Sequence, residues 1–141
     1  MNCFFDTNIW IRYFVGNDTA KAALCKKLLT DIENGKIRPY LSSIVLLEVY
    51  WVLTSVYKFP KQKVIAAIEI VLSIRGLVIV ETSEFRRAFS LHQKTGVKLA
   101  DCLIATQVGK GITLVTYDRE FRKIPRLAVA EPAEVLKTLS Q

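Results

Sequence analysis

The chain has 141 residues, 51% of them hydrophobic, and carries 20 Lys and Arg against 13 Asp and Glu for a formal charge of +7. That bounds a single packed domain, read as residues 1–141, and excludes a disordered or fibrous chain. Its longest uncharged runs, Pro39 to Leu47 and Val49 to Tyr57, are too short for a membrane helix, and no basic-then-apolar leader precedes Asp6, so a cytoplasmic protein with no membrane contact is expected.

Asn2 to Phe5 is short, aromatic and β-prone, and reads as a buried strand ending at Asp6. Asn8 to Val15 reads as a helix, and Gly16-Asn17-Asp18 as a break that caps the next one. From Thr19 to about Asn34, Ala23, Leu24, Leu28 and Ile32 fall near helical spacing, with Gly35 as a stop. Arg38 to Leu41 is a second strand, and Ser42 or Ser43 caps a helix that runs to Tyr57 and carries Glu48. Phe59-Pro60 breaks the chain. Lys61 to Ser73 sets Val64, Ile65, Ile68, Val71 and Leu72 on one helical face. Leu77 to Val80 is a third strand, and Ser83 caps a helix carrying Phe85, Ala88, Phe89 and His92 before Gly96. Leu99 to Val108 is a further helix, Ile112 to Thr116 a fourth strand and Leu127 to Ala130 a fifth. Pro132 suits the first turn of a last short helix.

Apolar strands alternating with helices predict an α/β fold, a three-layer sandwich around a central, mostly parallel sheet. Ligands in such sheets bind beyond the carboxyl ends of strands, where Asp6 and Asp118 both fall. Two more acids, Glu48 and Asp101, interrupt apolar helical stretches. A carboxylate in such surroundings is paired or holds a cation. The structural alternatives stay open at this point: Asp6 as a helix cap, Asp118 as a turn residue, Glu48 as half of a buried salt bridge.

Four carboxylates in one crevice repel one another, and a hard cation such as Mg²⁺ or Mn²⁺ reverses that cost. Two such ions activate a water and stabilise a leaving oxygen in phosphodiester cleavage. His92 is the only histidine, which removes a two-histidine zinc site, and no Gly-rich phosphate loop with Lys-Ser/Thr is present. Setting the four acids aside leaves nine acids against 20 basic residues, a surplus that suits a polyanionic substrate or simply keeps an apolar chain soluble. Cys3, Cys25 and Cys102 lack partners at zinc spacing and read as reduced core residues, with a reactive Cys102 the minor alternative.

Four segments together resemble the PIN-domain ribonucleases, and among them the VapC-type toxins of toxin–antitoxin pairs. They are Asp6-Thr7-Asn8, Ser42 to Val49, Leu99 to Ala105 and Leu114 to Phe121, in order over nearly the whole chain. The resemblance implies a metal-dependent endoribonuclease in which Asp6, Glu48, Asp101 and Asp118 form the acidic site. Asp6 and Asp101 are then the chief Mg²⁺ ligands (Mn²⁺ being the alternative), and Asp118 completes the shell directly or through water. Glu48 holds a second ion or orients the water, while Thr116 bonds a carboxylate or phosphate and Asn8 supports Asp6. Water attacks the RNA phosphodiester in line, with no covalent intermediate. One position departs from the group: Lys98 stands where members often carry an additional acid, which either weakens a second metal position or supplies a phosphate contact.

The same resemblance implies a small antitoxin as protein partner. The nearly all-apolar segments Ser43 to Tyr57 and Val64 to Leu72 add a homodimer to the expectation. Trp51, Tyr50 and Tyr57 read as core or interface, and Arg119, Arg122, Lys123 and Arg126 as a substrate groove in preference to a solvated face. The competing function is a catalytically silent PIN-like RNA-binding or scaffold module. A phosphatase using Asp6 as nucleophile is disfavoured because position 8 is Asn.

Overall fold

In the computed structural model, which describes all residues 1–141, five strands form one parallel sheet: β1 (Asn2–Phe5), β2 (Arg38–Ser42), β3 (Val78–Val80), β4 (Thr113–Val115) and β5 (Val129–Ala130). Their spatial order is β3-β2-β1-β4-β5. Helices α1 (Thr7–Val15), α2 (Thr19–Glu33), α3 (Ser43–Trp51), α4 (Lys61–Leu72), α5 (Phe85–Thr95), α6 (Leu99–Gln107) and α7 (Pro132–Leu139) flank it. The predicted α/β sandwich is therefore correct, and its sheet is parallel throughout. No helix is long and apolar enough to cross a membrane.

The central strand β1 is followed through α1 and α2 by β2 on one side, whereas β4 lies on the other. The gap between β1 and β4 is thus the point where strand order reverses, and the crevice beyond their carboxyl ends is where such a sheet binds ligands. Phe4 pairs with Leu114 and Phe5 with Val115, so one step further the register sets Asp6 beside Thr116. Cys3, Phe4, Phe5, Leu41, Leu114 and Val115 are buried at the centre of a continuous core, as strands covered on both faces require.

Several helical faces differ from the sequence expectation. In α2 the buried stripe is Ala22, Cys25, Leu28 and Ile32, while Ala23 is exposed and Leu24 half-buried; small residues, which carry little hydrophobic signal, occupy half of it. In α4 the core takes Val64, Ala67 and Val71, and leaves Ile65, Ile70 and Leu72 outside. In α5 only Ala88 is buried: Phe85 and Phe89 stack on each other at 6.4 Å on the outer surface. Ser83 does not cap α5. Glu84 takes that position, and its N–H is met by Thr106 Oγ1 at 3.2 Å.

The helix after β2 is also not regular to Tyr57. It passes at Val52 into a wider turn over Val52–Val56, closed by Tyr57 N–H donating to Val52 O at 3.1 Å. The Thr54 hydroxyl donates to Tyr50 O and Trp51 O, and this back-bonding competes with the regular ladder. Such widened turns recur beside functional sites. Trp51 before it, Val52 at its start and Tyr57 after it lie on the wall of the crevice.

Candidate functional site

Asp6, Glu48, Asp101 and Asp118 come from four separate elements and line one open cleft of about 560 Å³ at the carboxyl ends of β1 and β4. Asp6 follows β1 directly, and Ser42 ends β2 and caps α3 with no loop, its Oγ accepting from Val45 N at 3.3 Å, which sets Glu48 above the sheet. Asp101 enters on α6. Gly96, at φ 75°, turns the chain from α5 into α6 within three residues, a conformation that costs other residues strain. Asp118 closes the short loop after β4.

The caps expected of Asp6 and Asp118 exist together with the cleft. Asp6 Oδ1 accepts Thr7 N at 2.8 Å and so starts α1, while Oδ2 accepts the Thr116 hydroxyl at 2.7 Å and Asn8 Nδ2 at 3.0 Å. Asp118 Oδ1 accepts Glu120 N at 2.9 Å and starts the 3₁₀ turn Arg119–Lys123, leaving Oδ2 free. One oxygen of each residue serves the backbone; the other oxygen of Asp6 is held by two side chains, and that of Asp118 has no hydrogen-bond partner.

Thr116 and Asn8 stand where the sequence reading put them, and their bonds close a saturated network. The Thr116 hydroxyl gives its one proton to Asp6 and accepts from Asn8 Nδ2 at 3.0 Å and Asp118 N at 3.0 Å. Both Asn8 amide protons are used, and its Oδ1 accepts Tyr117 N at 3.1 Å. Asn8→Ala therefore orphans one backbone N–H and frees Asp6. It is expected to cost about 1–3 kcal/mol in a denaturant melt and, by misaligning the carboxylate, roughly 10–100-fold in activity.

Asp6 is 5% exposed, and burial, assisted by the charges of Glu48 and Asp118, pushes its pKa from 3.8 up to about 6, although its hydrogen bonds from Thr116 and Thr7 oppose the rise. Half-buried Asp101 is raised to about 6 as well, first by burial and then by Asp6 and Asp118. Glu48 is raised by burial and by Asp101, and lowered by the Thr7 hydroxyl bond and Lys98. None of the four acids has a basic partner within ion-pair distance, so the predicted alternative of a salt bridge at Glu48 is ruled out. The chemistry of this donor set suits a hard divalent cation: all oxygen, held apart by burial and mutual repulsion, with no His or Cys among them. No three of the chain's acids, cysteines and histidines stand close enough together to make a ready cage for a metal ion.

Some contributors were not singled out from the sequence. Thr7 donates its hydroxyl to Glu48 Oε2 at 3.0 Å and ties α1 to α3. Arg12, one helical turn beyond Asn8, lines the cleft, and that spacing was the available signal. Trp51, expected in the core or an interface, is 61% exposed on the cleft rim. The expected groove after Asp118 does not form. Arg119 pairs with Glu131 at 3.6 Å, Arg122 with Glu134 at 2.8 Å and Lys123 with Glu120 at 2.7 Å, and Arg126 lies on a separate surface pocket. The three cysteines are buried and free, and burial raises all three thiols, Cys3 and Cys25 to about 11, so Cys102 is not a reactive thiol.

The family model of the PIN domain matches residues 3–127, and the chain belongs to the PIN-domain family. No curated protein matches the sequence. Among solved structures, it is similar to VapBC2 from Rickettsia felis bound to a promoter DNA fragment, with 24% identity over 93% of this chain and 98% of that one and a TM-score of 0.67. DNA-bound VapBC from Salmonella typhimurium matches at 20% identity over 94% and 99% of the two chains, with a TM-score of 0.68. A toxin–antitoxin complex from Klebsiella pneumoniae matches at 23% identity over 92% and 97%, with a TM-score of 0.63.

Proposed function

We propose that the protein is a VapC-type toxin, a divalent-metal-dependent endoribonuclease of the cytoplasm that hydrolyses RNA phosphodiester bonds at the cleft. The observation that carries this reading is the convergence of four unpaired carboxylates from four elements on the sheet's switch point. Asp6, Asp101 and Asp118 would hold Mg²⁺, or Mn²⁺ in its place. When bound, the ion supplies Lewis-acid charge to a phosphoryl oxygen and lowers the pKa of water.

The chain's own groups do the rest. Thr116 and Asn8 lock the Asp6 carboxylate in one orientation, and Thr7 does the same for Glu48. A water against Glu48 passes its proton to that carboxylate as its oxygen attacks phosphorus; the P–O bond to the ribose oxygen breaks, that oxygen leaves as a hydroxyl with a proton taken from solvent, and no covalent enzyme intermediate forms. The raised pKa of Glu48 brings it nearer to neutral pH, as a general base requires. Arg12 and Lys98 line the same cleft and hold flanking phosphates, with the exposed Trp51 ring as a wall against which an unpaired base can lie.

The partners in this reading are RNA, a small antitoxin and a second copy of the chain. Leu47, Trp51 and Val56 on and after α3, with Ile65, Ile70 and Leu72 on α4, remain exposed, apolar side chains that a protein partner would cover. The toxin–antitoxin complex among the similar structures supports the antitoxin. The test is purified protein with total RNA in Mg²⁺ or EDTA, followed by induced expression in cells. Discrete fragments in Mg²⁺ alone, and growth arrest, are expected. RNA binding without cleavage would instead favour the silent binding module.

A further inference from the structure

Resting on the nuclease reading above, we propose that Lys98 is the second cation of the cleft: the chain takes up one divalent ion, and the Lys98 ammonium serves beside Glu48 and Asp101 where a second ion would otherwise sit. Lys98 occupies the position just before α6, one turn ahead of Asp101, with its carbonyl accepting Cys102 N at 2.9 Å. Both residues therefore line the same wall of the cleft. The ammonium is not engaged elsewhere, since it takes part in none of the chain's ion pairs or side-chain hydrogen bonds.

Glu48 and Asp101 line the one cleft with Lys98, whose charge opposes the rise that burial imposes on both carboxylates. Glu48 is further committed by the Thr7 hydroxyl at 3.0 Å. Neither carboxylate lies within ion-pair distance of the ammonium, but a positive charge lining the same cleft repels a dication approaching them, and the low-dielectric flank of a cleft strengthens that repulsion. It does not repel a phosphate. Lysine's compact charge with three rotatable donors suits a phosphate oxygen, so Lys98 both fills the second cation position and meets the substrate.

The full chain, stripped with EDTA, is titrated with Mn²⁺ at pH 7.5 by calorimetry, with unbound Mn²⁺ counted by electron paramagnetic resonance. The expected result is one Mn²⁺ per wild-type chain, one in Lys98→Arg and two in Lys98→Glu. Lys98 is exposed and its side chain holds no ion pair or hydrogen bond, so charge reversal is expected to leave the fold intact, checked by circular dichroism. Two ions in wild type, or still one in Lys98→Glu, overturns the proposal while leaving a metal-dependent nuclease. No Mn²⁺ bound by wild type overturns the proposal and the nuclease reading together.

Discussion

Asp101→Asn is expected to reduce RNA cleavage by on the order of 10³-fold or more, with a melting temperature no lower than that of wild type in EDTA. Asp101 accepts no side-chain hydrogen bond and sits half-buried at the cleft surface, so the amide replaces nothing structural. What disappears is one negative charge facing the cation and the attacked phosphate. Asp6→Asn is expected to lose as much activity for the same reason, but with a structural penalty. Asp6 accepts three donors, from Thr7 N, Thr116 Oγ1 and Asn8 Nδ2. An amide group must turn its NH₂ toward either the Thr7 N–H or the Asn8 amide, and that donor–donor contact is expected to cost about 1–3 kcal/mol. Cleavage rates and urea melts of both variants separate the two effects. Activity of Asp101→Asn within tenfold of wild type would remove the carboxylate from the mechanism.

How the site could be seen in advance follows from where its residues lie. Asp6 and Asp118 each end an apolar strand, and parallel strands aim their carboxyl ends at one crevice, so these two were legible despite more than a hundred residues between them. Glu48 and Asp101 were legible because an acid within an apolar run needs a reason. The Thr7–Glu48 bond was not, because it depends on how α1 and α3 pack, and any threonine at a helix start looks alike in sequence.

Misreadings of the surface have a common cause. Phe85 and Phe89 sit four apart, which on an amphipathic helix marks the core side, yet that side of α5 is filled by Ala88 with Leu91 and His92 half-buried. The basic run after Asp118 reads as a groove because its partners, Glu131 and Glu134, lie beyond β5 and close back only in the fold. Hydrophobicity and charge are visible residue by residue; which partner covers them is a property of packing. Trp51 shows the same limit, since its place at the end of α3 on the cleft rim leaves no mark in apolar periodicity.

The cleft also sets how stability responds to pH and metal. In the metal-free protein the Asp6 pKa is about 6, against 3.8 in the unfolded chain, so the native state binds more protons than the unfolded state between those values. Stability then falls as pH rises through this window. Protonated Asp6 incurs no penalty below pH 4, and above pH 6 to 7 the full cost of a buried, repelled carboxylate is present, about 3 kcal/mol as an upper figure for a shift of this size. Asp101 and Glu48 shift in the same direction and add to the trend, less strongly because solvent screens half-buried groups. For a domain of this length the change corresponds to roughly 10 °C in melting temperature. Thermal melts in EDTA at pH 5 and pH 7.5 are therefore expected to show the lower midpoint at the higher pH, the reverse of what salt-bridged carboxylates produce. Mg²⁺ binds the ionised form, so saturating Mg²⁺ should recover most of the loss at pH 7.5, about 2.7 kcal/mol at one hundred times its dissociation constant. At pH 5 protons compete for the same oxygens and the recovery should be small. A midpoint that rises from pH 5 to 7.5 in EDTA, with no Mg²⁺ shift at either pH, would mean that the acids are not held in the repelling, cation-ready arrangement the cleft presents.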